Sequence, residues 1–517
     1  MKTPTGAHRA RRRCGVVMEV LCFLSFGCAS PEPLEPDTLT RIGLQLPDSP
    51  LVSIRIAFRA GSVDDPDGKN GLNALTALMV GRGGSQTMTF EELTTTLYPW
   101  AASIRTQSDK EVTTVIGQVH RDHLEPFYEL LLELVLSPRF EQSDFDRNKE
   151  FLVNGIVSTL RGNDDEELGK QALNALMYEG HPYEAPSMGT ELGLEAVTLD
   201  DVRRFHATHY TQGNFVVGVA GGFPSGFLAR VEQDLFDGLD PGEAEPPALP
   251  APRSFDGLEV LIVEKDAIAT AMSIGFPLDL TRADDDFYAL LVANSYFGEH
   301  RTFNGLLMNK MRGDRGLNYG DYSYIESFVQ DGGSRFPITN IPRRQQFFSM
   351  WIRPVPHHNA HFALRQSLRE LETLIEDGLS SADFEATREF LLNYSKLYAQ
   401  TAGRRLGYIM DSRFYGADFF LDEIQRRLPA LTVDAVNDAV RRHLRHDNLA
   451  IAIVTTDAEA FGDRLLANDP SPPTYNTAVT AEILTEDEAV TSYALGINPD
   501  RMRVVPVEEM FREVGTR

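Results

Sequence analysis

Apolar positions recur along this chain with two periods. Strict alternation marks VSIRIAF (52–58), VTTVIGQV (112–119), FVVGVAG (215–221), TAMSIGF (270–276) and LAIAIVT (449–455), and predicts a strand for each. Helical spacing marks LEPFYELLLELVL (124–136) and FALRQSLRELETLIEDG (362–378), which read as amphipathic helices with a charged outer face. NGLNALTALMVGRGG (70–84) carries Leu72, Leu75, Leu78 and Met79 at helical spacing and stops on Gly81, Gly83 and Gly84. It predicts a short apolar helix, almost without reactive side chains, directly after a strand. Strands often come in adjacent pairs before a helix. That order fits an α+β class, a mixed, mainly antiparallel sheet with helices on one face, better than a doubly wound fold.

The pattern occurs twice. DFDRNKEFLVN from Asp144 and DFEATREFLLN from Asp383 share six of eleven residues. At nearly the same offset, VTLDDVRRFHATHYTQGNFVVGVAG from Val197 matches LTVDAVNDAVRRHLRHDNLAIAIVTTD from Leu431, with Thr198 on Thr432 and Asn214 on Asn448. Two ordered matches imply an internal duplication. The expected domains are 40–235 and 256–467, joined by a Pro-, Gly- and acid-rich linker at 236–255 and followed by a tail at 468–517 with no readable chemistry.

Composition narrows the function. A net charge of −26 over 517 residues argues against nucleic acid and anionic membrane as partners. The three cysteines, Cys14, Cys22 and Cys28, all lie in the first 28 residues, so the body has neither a disulfide framework nor a thiolate metal site. The same residues run from a basic start through an apolar stretch to a Pro-rich segment, the order of an export leader over 1–28. SFGC resembles a lipoprotein box, and lipidation of Cys28 and plain cleavage stay open. Either implies an exported bacterial protein, periplasmic or an outer-membrane lipoprotein. Membrane contact would come only through the anchor, because no later segment is long and apolar enough to span a bilayer.

With its flanks, the bare helix reads FRAGSVDDPDGKNGLNALTALMVGRGGSQTMTFEEL, which resembles the pitrilysin/insulinase family of zinc metallopeptidases, the inverzincins. Their H-x-x-E-H motif puts two zinc-ligating histidines on one helix face with a catalytic glutamate between them. Laid on this chain, the ligands fall on Ala74 and Leu78, the glutamate on Ala77 and the third ligand on Gly155. The resemblance therefore implies a zinc-less member with no cofactor of its own. In the second half, NGLLMNKMRGDRGLNYGDYSY from Asn304 resembles the family's C-terminal-domain signature and departs from it clearly at Asn318, where the family usually has alanine. The resemblance assigns to Arg312 and Tyr319 contacts with a peptide held at the zinc of a facing domain. It also implies a peptide-binding edge strand, here AASIRTQSDKE (101–111), with Ala101, Ser103, Thr106 and Ser108 as candidate contacts.

The expected function is that of a non-zinc-binding subunit, active in proteolysis only beside a zinc-bearing homologous peptidase subunit. The alternative is a non-enzymatic peptide-binding or structural pseudoprotease of the cell envelope. His357, His358 and His361 in PHHNAHF have metal-compatible spacing but no acidic third ligand nearby, and they read as a solvated helix start. The pairs His120/His123, His206/His209 and His443/His446 flank helix ends; the last two read as capping or packing residues.

Overall fold

The computed structural model describes residues 40–514 other than 244, 303, 331 and 333. The leader and Cys28 lie outside the described residues. The first half builds β1 (Arg41–Gln45), β2 (Leu51–Phe58), β3 (Ser103–Ser108), β4 (Thr113–His120) and β5 (Phe215–Gly221) into one sheet, ordered β1-β5-β2-β4-β3. The second half builds β6 (Leu258–Glu264), β7 (Thr270–Leu278), β8 (Asp321–Tyr324), β9 (Gln346–Val355) and β10 (Leu449–Thr455) in the order β6-β10-β7-β9-β8. The two orders are the same permutation. In each, the first and last strands pair in parallel and the remaining neighbours antiparallel. The duplication read in sequence is thus a duplication of topology.

The matched residues do the same work in both halves. Thr198 and Thr432 are helix N-caps, accepting from the backbone N–H of Asp201 and Ala435. Asn214 donates to the Arg59 carbonyl at 3.2 Å, and Asn448 accepts from the Gly257 N–H at 2.8 Å, so each ties the approach to its strand to a neighbouring loop. The DFDRNKEF and DFEATREF segments lie in the helices Gln142–Asn154 and Ser381–Tyr394.

Each sheet has a second cover that periodicity alone does not announce. Along β2, Val52, Ile54, Ile56 and Phe58 enter the main core, while the alternate face carries Ser53, Arg55 and Ala57. That face is closed by the helix Ala402–Phe414 of the second half, whose Leu406 and Met410 pack with Ile42, Leu44 and Ala220. Arg55 is buried here, donating to Thr339 Oγ1 at 2.9 Å and to Asn340 Oδ1, and burial pushes its guanidinium down to about 10. Glycine lets the helix approach: a Cβ on Gly407 would stand 2.1 Å from Thr339 Oγ1 and 2.3 Å from Arg55 Nη1. The exchange is reciprocal, because the helix Asp165–Met177 of the first half packs on β7, β9 and β10.

The tail is part of the second half. A further strand, β11 (Met502–Pro506), pairs in parallel outside β6, and the helix Ala481–Thr491 packs on the helix Ala360–Asp377. This corrects the charged outer face expected for 362–378. Arg365 is fully buried there, donating to the carbonyls of Asp469 and Thr491 and to Ser471 Oγ and Asn468 Oδ1, so the tail supplies the acceptors that water would have.

Candidate functional site

The helix Leu72–Arg82 begins at Gly71, whose φ of 107° is a left-handed value that glycine adopts without strain. Asp65 holds this helix start, accepting from the N–H of Gly71 and of Asn73 at 2.7 Å each, and burial pushes its carboxyl up to about 7. Ala74 and Ala77 are buried and Leu78 half-buried, and all three line a cavity of about 330 Å³. Thr106 and Ser108 of β3, Phe151 and Met188 add walls, and the second half closes the cavity with Phe328, Val329 and Trp351. Gly155 ends the helix Gln142–Asn154 and opens a π-helical turn, Gly155–Leu160; a Cβ on it would meet Met188 Sδ at 3.8 Å. Three of the zinc-set positions line the cavity and Gly155 stands beside its Met188 wall, and none of the four has a side-chain atom that can ligate a metal. Zinc does not fit this site, whose walls at those positions are hydrocarbon. Among the described residues, no three His, Cys, Asp or Glu side chains are grouped to hold a metal ion.

Two polar groups of the cavity, Asp109 and Lys110, fell inside the expected edge stretch 101–111 without being singled out as contacts. Asp109, Lys110 and Glu111, between β3 and β4, would ordinarily be a solvated turn, but all three are buried. The second half makes this tolerable: Arg343 grips Asp109 through two bonds of 2.7 and 2.9 Å, and Arg344 pairs with Glu111. Lys110 donates to the Ala185 carbonyl, and burial, with the nearby Arg343 charge, pushes its ammonium down to about 7. Lys170 lies over the Trp351 ring, 3.6 Å from its centroid, and pairs with Glu166 at 2.9 Å. Three consecutive charged residues between two strands were the available signal, but their partners lie in the other half of the chain.

β3 is the terminal strand of its sheet, paired with β4 alone. Thr106 and Ser108 face the cavity, while Gln107 points the other way and donates to the Thr339 carbonyl at 2.6 Å. Ser103 is exposed at the start of the strand. The expected span 101–111 shortens to Ser103–Ser108, which leaves out 109–111 at its end and Ala101 at its start; Ala101 is no strand residue. It closes the turn after Tyr98–Trp100 with a φ of 49°, which no extended strand accommodates.

Arg312 and Tyr319 come together. A second π-helical turn, Asn309–Gly313, carries Arg312, and its guanidinium lies 4.6 Å from the centroid of the Tyr319 ring. The Arg353 guanidinium lies 5.6 Å from the same ring, and Tyr319 remains 67% exposed. Asn318 locks the turn, donating to Asp321 Oδ1 at 2.6 Å and to the Arg353 carbonyl at 3.0 Å. Asp321 is fully buried, and burial pushes its carboxyl up to about 8. Arg353 also donates to Glu166 at 2.8 Å, and Glu166 holds Lys170, so a continuous set of contacts runs from Tyr319 to the cavity wall.

The tail braces this loop. Arg315 is buried, donating to Asp487 Oδ1, Glu486 Oε2 and the Lys310 carbonyl at 2.9 Å each, while Lys310 itself reaches Glu486 at 2.6 Å. The histidines take structural places. His357 contacts Thr270 Oγ1 at 2.9 Å and the Ala267 carbonyl at 3.0 Å; His358 is exposed. His361 corrects the expected solvated start: it is buried against Phe461, and burial pushes its imidazole down to about 4. His206 stacks on Tyr210, His443 pairs with Asp286 at 2.7 Å, and His123 stacks on Trp100.

A duplicated α+β chain with helices exchanged between its halves and a donor-free metallopeptidase helix defines a class, and comparison identifies it. Residues 44–191 match the model of the insulinase family, peptidase family M16, and residues 196–391 match that of the peptidase M16 inactive domain. The chain belongs to the insulinase (M16) family. It is 23% identical over 407 residues to the uncharacterized zinc protease YmxG of Bacillus subtilis, covering 78% of this chain and 93% of that protein. It is 21% identical over 411 residues to the non-peptidase homolog YmxG of Helicobacter pylori, covering 78% and 89%. Among solved structures, the peptidase M16 inactive domain from Pseudomonas fluorescens superposes with a TM-score of 0.71 at 20% identity, covering 80% of this chain and 95% of that one.

Proposed function

We propose that this chain is the zinc-less subunit of a heteromeric insulinase-type peptidase, exported from the cytoplasm and paired with a homologous subunit that carries the zinc. The observation that carries this reading is an asymmetry between two sites of one molecule. The zinc-set positions hold Ala74, Ala77, Leu78 and Gly155, whereas Arg312 and Tyr319 remain stacked, accessible and braced by a buried ion-pair network. A scaffold has no need of that clamp. In the complex, the Arg312 fork holds carbonyl or carboxylate oxygens of the peptide, and the Tyr319 phenol donates a hydrogen bond to the oxyanion that develops at the scissile carbonyl.

Co-expression with a zinc-bearing homologue and assay of a quenched peptide tests this. Tyr319→Phe is expected to lower turnover on the order of a hundred- to a thousandfold with assembly intact. Arg312→Ala is expected to raise KM as well as lower kcat, because a clamp acts on ground state and transition state alike. Full activity of both variants in an intact complex would refute the subunit reading. A second reading, a peptide-binding pseudoprotease, is favoured by the cavity beside the free edge of β3 and agrees with the non-peptidase homolog among the relatives.

A further inference from the structure

The duplication leaves one strand without a counterpart. With Asn214 on Asn448, residues 217–221 of β5 stand for residues 451–455 of β10. The parallel ladders then equate β1 with β6 residue by residue, because Arg41–Gln45 lie against Val217–Gly221 and Val260–Glu264 against Ile451–Thr455. β11 pairs with those same five residues of β6, from Met502 on Val260 to Pro506 on Glu264. The equivalent five residues of β1 carry no strand on that side among the described residues.

The backbone of this edge is set for pairing. The Val217 N–H donates to the Thr40 carbonyl at 2.7 Å and the Leu46 N–H to the Gly221 carbonyl at 2.9 Å, so the even-numbered residues serve β5, and the N–H and C=O groups of Gly43 and Gln45 point away from it. β6 has the matching parity: the Lys265 N–H donates to the Thr455 carbonyl at 3.0 Å, which turns Ile262 and Glu264 toward β11. Under β11, Ile262 is 0% exposed, whereas Gly43 at the equivalent place is half-buried. Neither a proline nor a bulge interrupts β1. One face of the strand is apolar, with Ile42 and Leu44 packed against Leu406 and Met410, and the other carries the Arg41–Glu232 ion pair at 3.1 Å.

We propose that the outer edge of β1 is a docking site for an extended segment of a different polypeptide, which adds in parallel in the register that β11 takes on β6. The incoming strand sets an aliphatic side chain beside Leu44, as β11 sets Val505 beside Val263. Counting decides between a partner and a second copy. Each chain has one β11 and two equivalent edges, so tails exchanged among copies fill only half of the edges. The site lies at the opposite end of its sheet from β3 and is independent of the proposed function.

The probe is a fluorescein-labelled peptide of the tail sequence DRMRVVPVE (500–508), titrated onto the full chain and read by fluorescence anisotropy. Gly43→Pro removes an N–H that β5 does not use, so the fold should survive, as circular dichroism checks, while peptide binding weakens roughly tenfold or more. The peptide itself tests the register on the native chain. In β11 the Val505 N–H points at β6 and the Val504 N–H away from it, so N-methylation at Val505 should weaken binding roughly tenfold and at Val504 by less than about twofold. These two peptides decide the matter even if Gly43→Pro fails to fold. No binding up to about 1 mM peptide, equal binding to native and Gly43→Pro chains, or equal effects of the two methyl groups would each overturn the proposal. Sedimentation of the chain alone should show a monomer; a dimer that Gly43→Pro abolishes would assign the edge to a second copy and overturn the choice of a different polypeptide.

Discussion

Arg315→Met is the most informative perturbation of the Arg312–Tyr319 loop, because it cuts the brace without touching either residue. The Arg315 side chain is 0% exposed and Asp487 7%. Burial alone would raise the Glu486 carboxyl, but Lys310 and Arg315 outweigh it and hold Glu486 below the usual carboxylate range. Removing the guanidinium leaves Glu486 with Lys310 at 2.6 Å and Arg369 at 3.4 Å. Asp487 is left with the Tyr475 hydroxyl. A buried charge stripped of its main partner costs about 3–5 kcal/mol, and most of that penalty should fall on Asp487. Arg315→Met/Asp487→Leu removes both charges, so it should be the more stable of the two variants, because no buried carboxylate is then left without its partner. Urea unfolding of the full chain at neutral pH measures both, and limited proteolysis between residues 309 and 320 reports whether the loop loosens. A single variant that loses under about 1 kcal/mol, or a double variant less stable than the single, would refute the bracing argument.

Gly407→Ala should destabilise by about 1–3 kcal/mol or more in thermal unfolding, because its Cβ falls 2.1 Å from Thr339 Oγ1 and backbone or Arg55 must move. Asp321→Asn tests a pH effect. The folded carboxyl titrates at about 8, above its unfolded value of 3.8, so its contribution is complete at low pH and is lost as pH rises through about 8. The variant should therefore match the native chain near pH 4, gain on it by about 1 kcal/mol or more with each pH unit above that, and stop gaining above about pH 8, as read by urea midpoints. The purified chain should hold no stoichiometric zinc and cleave no peptide alone, and Ala77→Glu should restore neither. About one tightly bound zinc per chain, lost with activity on chelation, would contradict the donor-free site.

Local physics determined much of this protein from sequence alone. The alternation in VSIRIAF and LAIAIVT and the repeated DF…EFL segment needed only the chain itself to be legible, as did the match of Thr198 on Thr432, whose shared N-cap role the structure supplied; that Ala74, Ala77, Leu78 and Gly155 stand where a zinc set would be came from the family resemblance. The Arg312–Tyr319 pair was reached through resemblance to the family's C-terminal-domain signature, not through local pattern, and the structure adds the placement of the guanidinium over the ring.

Tertiary structure alone decided where the charged residues went. Nothing local marks Arg55 in a strand or the Asp109-Lys110-Glu111 run for burial, and Arg365 read as part of a charged outer face, because a burial cost is judged locally while its compensation lies far along the chain in Asn340, Arg343 and Thr491. The tail read as featureless for the same reason. Glu486 and Asp487 are ordinary acidic residues on a short helix until the fold sets them against the buried Arg315. Periodicity records which face of an element is apolar. It does not record which distant element will cover that face, and in this molecule the covering elements come from the opposite half and from the tail.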